Sequence, residues 1–353
     1  MRWKWLISVG LVVCLVLCFA LPMCAPAPPA EEEEAPPTEQ PVYHWRIQTG
    51  FAPAQNRDNV RPWLDEIEAM LGGRGTFDLY GSAEIVPDDE TIPAIQAGTL
   101  DFCQGWAPGL SPPFGDLGMM QCIPPFGWQS SIEAYALWHE WGMKEIFVKA
   151  YEDLGHIHYV GMSVHDPMHV ISTKPIRKYE DFDGLKINAA AMVAKPFVDA
   201  GAVTVVLPVE EFYMSAKTGI VDALIWAGSK ESYTNNWHEV YPYFLANAIV
   251  GGCQTDWLAN KEMWDSLPSD IQDIITYGFS SYCMRTLTYY YQGEPECWEY
   301  FTVTKLSPED MAKIRESEME YWDELGEKDP RCAEVAKILR DYNNFVETAG
   351  WYR

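Results

Sequence analysis

Two separate stretches of the chain alternate between strand-like and helix-like patterns, and this alternation constrains the fold more than any other feature. Side chains alternate between faces on a strand but repeat every 3.6 residues on a helix, so the two patterns can be told apart. Residues 42–106 read as strand, helix, strand, helix, strand, and residues 157–226 give a second series of strands and helices. The sequence therefore predicts an α/β protein with two sheets.

One short motif occurs in both stretches. Residues 95–101 read Ile-Gln-Ala-Gly-Thr-Leu-Asp, and residues 216–222 read Ala-Lys-Thr-Gly-Ile-Val-Asp. Each pattern predicts the end of a helix, a glycine that takes the left-handed conformation, and a strand that begins near an aspartate. The two copies are either independent turns of a common kind or the mark of two similar lobes, each with a parallel sheet. In the second case a ligand binds at the carboxyl ends of the strands, in a cleft between the lobes.

The remainder of the chain is predicted to return to the first sheet and then to become helical. Residues 253–259 read as the returning strand. A long helix is predicted over residues 269–293, with Ser266 or Ser269 as its N-cap, and two further helices follow it. The predicted domains are residues 42–164 plus 251–268 for the first lobe, 165–250 for the second lobe, and 269–353 for the long connecting helix and the C-terminal helices.

The first forty residues predict export. A positively charged start and an apolar run precede Leu21-Pro22-Met23-Cys24, which resembles a bacterial lipoprotein signal with its lipidated cysteine. Residues 1–24 are therefore predicted to be a lipoprotein signal that leaves Cys24 as the lipid anchor; an ordinary cleaved signal and a retained membrane anchor are the alternatives. Residues 25–41, rich in proline and glutamate, predict an extended stalk of roughly 50 Å. We expect the protein on the extracytoplasmic face of the membrane.

Charge and motifs exclude several classes of function. The formal net charge of −26 argues against nucleic acid as a partner. The chain has no Gly-x-Ser-x-Gly motif, no phosphate-binding loop and no dinucleotide fingerprint. His165 and His169 are four residues apart, but Pro167 between them disfavours a helical metal pair. Six cysteines beyond Cys24 allow 15 disulfide connectivities, and the sequence does not choose among them. We therefore predict a binding protein rather than an enzyme, with no metal site.

Tryptophans stand where loops of a cleft are expected. Trp106 and Trp226 end predicted strands, Trp128 follows a Pro-Pro-Phe-Gly turn, and Trp257 lies in the returning strand. A single tryptophan is more often part of a core than of a ligand site. Several of them at the carboxyl ends of strands favour an aromatic box.

Several segments together resemble one known family. They are Lys174-Pro175-Ile176, residues 181–187 (Asp-Phe-Asp-Gly-Leu-Lys-Ile), Leu207-Pro208, Glu211-Phe212-Tyr213, residues 219–222, residues 97–101 with Pro125-Phe126-Gly127, and residues 260–268. This combination is similar to TRAP-type (DctP-like) solute-binding proteins, nearest to the α-keto-acid and lactate branch. The resemblance implies a two-lobed α/β fold of the periplasmic-binding-protein kind, with a long C-terminal helix linking the lobes. It also implies that the lobes close over a small organic acid and present it to the membrane subunits of an ion-driven transporter. Some members of that branch form homodimers through their C-terminal helices and hold the ligand carboxylate with a bound cation.

The chain departs from this family at the positions that hold a carboxylate. Asn188 stands where the family usually has an arginine that grips the ligand, and Ile225 stands where a metal-binding glutamate precedes the tryptophan. Pro167 and Met168 stand where a glutamine helps to hold the cation. Because burying an unpaired carboxylate is costly, a neutral, larger or aromatic ligand is favoured, unless a displaced cation restores the charge. The candidates for that cation are Lys186, Lys195 and Arg57.

The resemblance and the pattern together predict a ligand site without a cofactor; a ligand-bridging cation is the alternative, although its usual ligands are replaced here. Asn188 is expected to orient a polar group of the ligand, and Glu211 either accepts a ligand hydroxyl or serves only as a charge at a helix N-terminus. The apolar and aromatic walls are expected to come from Trp226, Met168, Phe212, Trp106 and Trp128. Two other functions stay open at this point: a membrane-tethered ligand sensor on the same fold, and an exported hydrolase.

Overall fold

The computed structural model describes residues 41–105, 114–189 and 191–349. The predicted signal, the lipid anchor Cys24, nearly all of the stalk and the predicted wall residue Trp106 lie outside the described residues. Among the described residues, no helix combines the length and the apolar character needed to cross a membrane.

The first lobe is built on a five-stranded sheet with the order β2-β1-β3-β10-β4. The strand β10 runs antiparallel to both of its neighbours, so the sheet is mixed and the expected fully parallel sheet is wrong. The reason is geometric: Val164 at the end of β4 pairs with Gln254 at the start of β10, so the chain leaves and re-enters at one end of the sheet. The strands are β1 (Tyr43–Thr49), β2 (Gly75–Tyr80), β3 (Phe102–Gly105), β4 (Ile157–Val164) and β10 (Gln254–Asn260).

The second lobe is built on a six-stranded sheet with the order β11-β9-β5-β8-β6-β7. It is also mixed, because β5 runs antiparallel to β8 and β9. Its edge strand β11 follows the long helix, so the second lobe takes residues from beyond position 269. The strands are β5 (Val170–Ser172), β6 (Lys186–Asn188), β7 (Val203–Val205), β8 (Ala223–Ile225), β9 (Tyr243–Leu245) and β11 (Thr302–Thr304).

Helices cover both sheets. Phe102 and Cys103, neighbours on β3, belong to different apolar clusters, as expected for a strand buried on both faces. The helix α1 is preceded by a short helical turn, Pro53–Gln55, and a π-helical turn, Asn56–Val60. The helices are α1 (Arg61–Leu71), α2 (Thr91–Gln96), α3 (Asp116–Cys122), α4 (Ser131–Glu140), α5 (Met143–Leu154), α6 (Lys195–Asp199), α7 (Phe212–Thr218), α8 (Ser229–Thr234), α9 (Lys261–Asp265), α10 (Ser269–Cys297), α11 (Pro308–Lys328) and α12 (Pro330–Ala349).

The motif that occurs twice in the sequence builds the same joint in each lobe. Gly98 and Gly219 follow α2 and α7 with φ angles of +70° and +69°, which favour glycine. Asp101 then accepts a hydrogen bond from the backbone N–H of Arg46 on β1 (2.8 Å), and Asp222 accepts one from Lys186 on β6 (3.2 Å). In both lobes the aspartate therefore ties its own strand to the neighbouring strand.

The long helix α10 connects the lobes. Near its start, the indole N–H of Trp63 in the first lobe donates to the carbonyl oxygen of Gly278 (2.9 Å). Near its end, Glu294 accepts a hydrogen bond from the backbone N–H of Ser229 in the second lobe (3.1 Å). The N-cap residue is Pro268, without a side-chain cap, so the expected serine cap is wrong. The α/β class and the long C-terminal helix are confirmed.

Two crossover segments join the sheets side by side. Residues 165–169 leave the first lobe and residues 249–253 return to it. The N–H of Met168 donates to the carbonyl of Val250 (2.9 Å), and the N–H of His165 donates to that of Cys253 (2.8 Å). At Gly251 an added Cβ would lie 2.3 Å from the backbone carbonyl carbon of Gln129, so the returning crossover is held tightly against the first lobe.

Candidate functional site

A cavity of about 550 Å³ opens between the carboxyl ends of strands from both lobes. Gly50 follows β1, Asn188 ends β6 and Trp226 follows β8, so the sheets deliver these residues to one place. The lining includes Phe51, Gln55, Asp88, Asp89, Met119 and Cys122 from the first lobe, and Met168, Asn188, Leu207, Glu210, Trp226 and Glu231 from the second lobe, with His165 and Asp166 from the first crossover.

Three of the predicted site residues line this cavity: Asn188, Trp226 and Met168. The side-chain oxygen of Asn188 accepts a hydrogen bond from the backbone N–H of Leu207 (2.9 Å), which fixes the orientation of its amide. Within the described part of the chain, its amide nitrogen has no hydrogen-bond partner. The indole N–H of Trp226 donates to Glu231 (3.0 Å).

The other described candidates lie elsewhere. Phe212 is fully buried behind Trp226, with the two ring centroids 5.1 Å apart. Trp128 is buried in the first lobe, where its indole N–H donates to the carbonyl of Gly252 (2.7 Å). Glu211 is exposed next to the start of α7, and its neighbour Glu210 lines the cavity instead. Phe212 and Trp128 therefore support the site from behind and do not face the cavity.

The charged side chains that line the cavity are all acidic. The three cations proposed as replacements for the family's arginine are all placed elsewhere. The Lys186 ammonium donates to the carbonyl of Gly219, Lys195 pairs with Asp199 (2.5 Å), and Arg57 pairs with Asp58 (2.7 Å). The internal segments outside the description, residues 106–113 and 190, contain no lysine or arginine in their sequence.

The acidic side chains at the inner wall have hydrogen-bond donors, but none of the described lysines or arginines pairs with them. Asp166 is 2% exposed and accepts a hydrogen bond from the backbone N–H of Gly228 (2.5 Å). Glu231 accepts hydrogen bonds from Trp226 and from the Tyr290 hydroxyl (3.2 Å). Burial, with repulsion from Glu231 and Glu294, raises the pKa of Asp166 well above its usual value, and burial also raises the pKa of Glu231.

Glu294, on α10, stands behind this pair. It accepts hydrogen bonds from the Ser229 hydroxyl (2.6 Å), from the backbone N–H of Lys230 (3.1 Å) and from the indole of Trp298 (3.0 Å). Glu294 therefore accepts several hydrogen bonds from other residues, whereas Asp166 accepts one.

His165 is held as a neutral imidazole at the base of the cavity. Its Nε2 lies 3.2 Å from the Thr255 hydroxyl and 3.3 Å from the Gln104 amide, and its Nδ1 lies 3.5 Å from the Gln55 amide. Burial lowers its pKa to about 3. His165 thus supplies polarity to the cavity but no positive charge at neutral pH.

The side chains around the cavity do not fit a bound cation of the kind found in this branch of the family. Among the described residues, no group of three or more His, Cys, Asp or Glu side chains is arranged to hold a metal ion. His169 turns away from His165, because its Nδ1 bonds to the carbonyl oxygen of Leu245 (2.9 Å) and its ring stacks on Phe244. Ile225 and Met168 line the cavity at the positions where the family supplies metal ligands.

Two thiols meet at the cavity wall. The Sγ atoms of Cys122 on α3 and Cys253 in the returning crossover are 3.5 Å apart, and both residues line the cavity. Burial and the neighbouring thiol raise the pKa of Cys122 well above its usual value. Among the six cysteines beyond Cys24, the structure therefore places one pair, Cys122 and Cys253, close together.

Sequence reasoning missed the acidic inner wall. Asp166 follows the buried strand β4 directly, and a charged residue at a strand end is a signal that could have been used. Glu231 and Glu294 carry no such signal, since each lies in a helix more than 60 residues from Asp166 in sequence. Only the fold brings these three side chains together.

Comparison with known proteins agrees with this geometry. Residues 55–329 match the family model described as bacterial extracellular solute-binding protein, family 7 (DctP). A curated relative from Nostoc sp. (strain PCC 7120), named a monocarboxylate 2-oxoacid-binding periplasmic protein, is 23% identical over 243 residues. That match spans 66% of this chain and 64% of the relative's length.

Solved structures share the whole fold. A TRAP periplasmic solute-binding protein from Chromohalobacter salexigens, solved with (S)-(+)-2-amino-1-propanol, has a TM-score of 0.82 at 26% identity and covers 88% of this chain and 98% of its own. A TRAP solute-binding protein from Bordetella bronchiseptica, with calcium and picolinate, has a TM-score of 0.79 at 19% identity and covers 89% and 94%. The two-lobed fold is thus confirmed, and the chain belongs to family 7 of the bacterial extracellular solute-binding proteins, the DctP-like receptors of TRAP transport.

Proposed function

We propose that this protein captures a small organic solute between its lobes and delivers it to the membrane subunits of a TRAP-type secondary transporter. The observation that carries the proposal is the cavity itself, which takes lining residues from strand ends of both lobes. A solute that contacts both lobes binds the closed arrangement better than the open one and so shifts the population toward it. The domain ranges given above are part of the proposal, with β11 added to the second lobe.

The hinge of this motion is proposed at the two crossovers. They are hydrogen-bonded to each other, and each is a short segment between sheets, which is the usual construction of a hinge. The proposed contacts to the solute are Asn188, Trp226 and Met168, to which the structure adds His165, Asp166 and Glu231 as lining residues.

The relatives bound several kinds of small solute: a 2-oxoacid by name, picolinate with calcium, and an amino alcohol. A small organic solute, of the size of these acids and of this amino alcohol, is therefore the class proposed for this chain. No resident cofactor and no catalytic reaction form part of this proposal, since the family is one of receptors.

We propose extracytoplasmic anchoring through a lipid on Cys24, with residues 25–41 as the stalk. Replacing Cys24 by serine should release the protein from the membrane fraction, as detected by immunoblotting of fractionated cells. Retention of Cys24→Ser in the membrane fraction would contradict the lipid anchor and leave solute capture unaffected.

Dimer formation through the C-terminal helices is also proposed. Tyr277, Met284 and Tyr291 are spaced by seven residues along α10 and are 77%, 64% and 54% exposed. Such spacing makes one apolar stripe on a helix, and a second copy of the chain is the proposed occupant. Light scattering after size exclusion should give a dimer that Met284→Glu converts to a monomer; a wild-type monomer at all concentrations would contradict this.

Val203 on β7 and Val206 directly after β7 provide a matched pair of variants that tests solute capture. Val206 lines the cavity and is 69% exposed, whereas Val203 is 56% exposed and does not line it. Native mass spectrometry of the purified protein should detect a co-purified solute in the wild type and in Val203→Trp, but not in Val206→Trp. Equal retention of the solute in both variants would place the binding site elsewhere.

A further inference from the structure

The charges of the cavity identify the chemical class of the solute. We propose that this cavity takes an organic cation, an ammonium group carried on a mainly apolar body, and that Asp166 and Glu231 receive the ammonium group. The inference rests on the proposed function, because it assumes that the cavity is the solute site.

The first step is the balance of charge. Five acidic residues line the cavity, and no lysine or arginine among the described residues does. They are Asp88 and Asp89 from the first lobe, Asp166 from the crossover, and Glu210 and Glu231 from the second lobe. A carboxylate solute entering here would meet only like charges, whereas a cation is attracted from the mouth to the inner wall.

The second step is the state of Asp166. This side chain is nearly fully buried and lines the cavity, yet Gly228 is the one other residue of the described part that donates to it, and only to Oδ2. Apart from its own backbone N–H, Asp166 therefore has no second hydrogen-bond donor among the described residues. An ionised carboxylate needs hydrogen bonds or an opposite charge when it leaves water, and an ammonium group with three N–H donors provides both.

The third step concerns Glu231, which completes the acceptor pair. Asp166 accepts a hydrogen bond from the N–H of Gly228, and Glu231 accepts one from the indole of Trp226 two residues earlier, so both acids lie against one short segment of the cavity wall. Glu231 is oriented by donors on two elements, the Trp226 indole after β8 and the Tyr290 hydroxyl on α10. Its position is thus set by the protein before any solute arrives.

Among the described residues, no lysine or arginine forms an ion pair with Asp166 or Glu231, although Glu294 and Asp166 act electrostatically on the Lys230 ammonium. Lys230 is the nearest candidate, but its ammonium donates to the carbonyl of Tyr289 and lies 3.6 Å from the centroid of the Tyr289 ring. Lys230 does not line the cavity, and His165 is neutral. The inner wall therefore has no ion-pair partner among the described residues, and a proton or a cationic solute can neutralise it.

The rest of the cavity fits the body of such a solute. Phe51 and Met119 from the first lobe face Met168, Leu207 and Trp226 from the second. These side chains offer apolar surface, and the Trp226 ring stands next to the carboxylate that it orients, where a cation can also interact with its face. A volume of about 550 Å³ is larger than a three-carbon acid requires and lies within the usual range for ligands of moderate size.

The experiment compares three probes of similar shape: one carries a positive charge, one is neutral and one carries a negative charge. The protein is first unfolded, dialysed and refolded to remove co-purified solute, and its refolding is verified by circular dichroism. Thermal unfolding and calorimetry then compare 2-phenylethylamine, 2-phenylethanol and phenylacetate at pH 8, with pyruvate tested with and without calcium. The amine should raise the unfolding temperature most, and phenylacetate should not stabilise the protein.

The variants separate a binding acid from a structural one. Glu231→Gln and Asp166→Asn should each weaken binding of the amine at least tenfold, while Asp256→Asn, a buried acid that does not line the cavity, should change it less than twofold. Because each cavity variant removes an acid that has no ion-pair partner among the described residues, the solute-free protein should be as stable as the wild type or more stable. A loss of stability in both variants would indicate a structural role and overturn the proposal.

The outcomes also separate this inference from the proposed function. Calcium-dependent stabilisation by pyruvate or phenylacetate, without any effect of the amine, would overturn the cation assignment and leave solute capture intact. Absence of amine binding would overturn the assignment by itself. If both Val203→Trp and Val206→Trp retained the co-purified solute, this result would instead contradict the cavity as the solute site.

Discussion

Two groups of acids, Asp256 inside the first lobe and the pair Asp166 and Glu231 at the cavity, differ in what surrounds them. Asp256, on the central strand β10, is 1% exposed and accepts hydrogen bonds from the Tyr151 hydroxyl (2.6 Å) and from the Gln121 amide inside the first lobe. Asp166 is 2% exposed and Glu231 is half-buried, and both form part of the wall of an open cavity. Neither group has a cationic partner on the described part of the protein.

The difference shows that burial alone does not separate a functional acid from a structural one. Asp256 is surrounded by side chains on every side, so only a proton can neutralise it, and burial raises its pKa to about 7. The acids at the cavity can be neutralised by a proton or by a solute that enters. Access from the cavity, rather than the size of the pKa shift, assigns the role.

The largest expected effect concerns Asp256 and stability. Its pKa is raised from 3.8 to about 7 on folding, so the folded state holds the proton more tightly than the unfolded chain. The contribution of Asp256 to the free energy of unfolding is complete below about pH 4. Up to about 4 kcal/mol of it is lost as the pH rises to about 7. Urea unfolding at pH 5 and pH 8 should show a smaller decline in Asp256→Asn than in the wild type.

The exposed Asp153→Asn is the matched control for that experiment and should keep the wild-type decline. The decline should not vanish altogether in Asp256→Asn, because the pKa values of Asp166, Glu231 and Glu318 are also raised. An unchanged slope in Asp256→Asn would show that Asp256 is not the structural acid of this comparison.

The next effect concerns the thiol pair that stands between the two groups. Cys122 follows Gln121, which holds Asp256, and Cys253 lines the cavity. In an oxidising compartment the pair should form a disulfide that closes a long loop and stabilises the protein by about 2–4 kcal/mol. Peptide mapping without reduction should find Cys122 linked to Cys253, and reduction should lower the urea midpoint.

Cys122→Ser should be insensitive to reduction, and Cys283→Ser, which alters a buried cysteine on α10, should keep the wild-type response. A linked peptide between any other pair of cysteines would contradict the assignment.

A third prediction concerns pH and binding at the cavity. Burial raises the pKa of both Asp166 and Glu231, so the solute-free site holds protons that an ammonium solute must displace. Affinity for 2-phenylethylamine should therefore rise with pH between 5 and 8, by up to about tenfold per pH unit. Of the other groups that face this pair, His165 stays neutral in this range, and Glu294, Tyr290 and Lys230 are kept in Glu231→Gln. That variant should show a shallower profile than the wild type, because Asp166 still titrates.

Calorimetry in buffers of different ionisation enthalpy measures the protons released on binding. A profile that is flat in the wild type, or that falls with pH, would mean that the two carboxyl groups do not receive the cation.

The smallest effect concerns the space between the acids. An added Cβ at Gly228 would lie 2.5 Å from Oε1 of Glu294 and 2.6 Å from Oδ2 of Asp166, so both carboxyl groups must move. Gly228→Ala should weaken amine binding about tenfold, or about 1.4 kcal/mol. Gly161→Ala is the control, since its Cβ would meet only Ser280 Oγ at 3.7 Å. Equal affinities of the two variants would show that the geometry around Gly228 is irrelevant to binding.

The parts of the fold that depend on neighbouring residues could be predicted from the sequence. The left-handed turns at Gly98 and Gly219 and the cap by Ser307, which accepts a hydrogen bond from the N–H of Asp310, follow from local rules. The edge strand β11 could not be predicted, because three residues carry little periodicity and its partner β9 is about 60 residues away.

The candidate site divides in the same way. Asn188 and Trp226 were predicted because they end strands of a recognisable series. The inner wall was not, since Glu231 and Glu294 are acids on helices, where charge usually means exposure. Their pairing with Asp166 depends on how α8 and α10 pack, and that packing leaves no pattern in the sequence.

The tightly held crossover at Gly251 has a consequence for evolution of this receptor. Gly251 does not line the cavity. If the crossovers are the hinge, as proposed, its backbone would set the resting balance between open and closed lobes, and apparent affinity scales with the fraction of molecules that can close. A substitution there should alter the affinity for every solute by the same factor and leave the ranking of solutes untouched. Sensitivity and selectivity are thus controlled at separate positions, so the receptor can be retuned to a scarcer or richer supply without changing what it recognises.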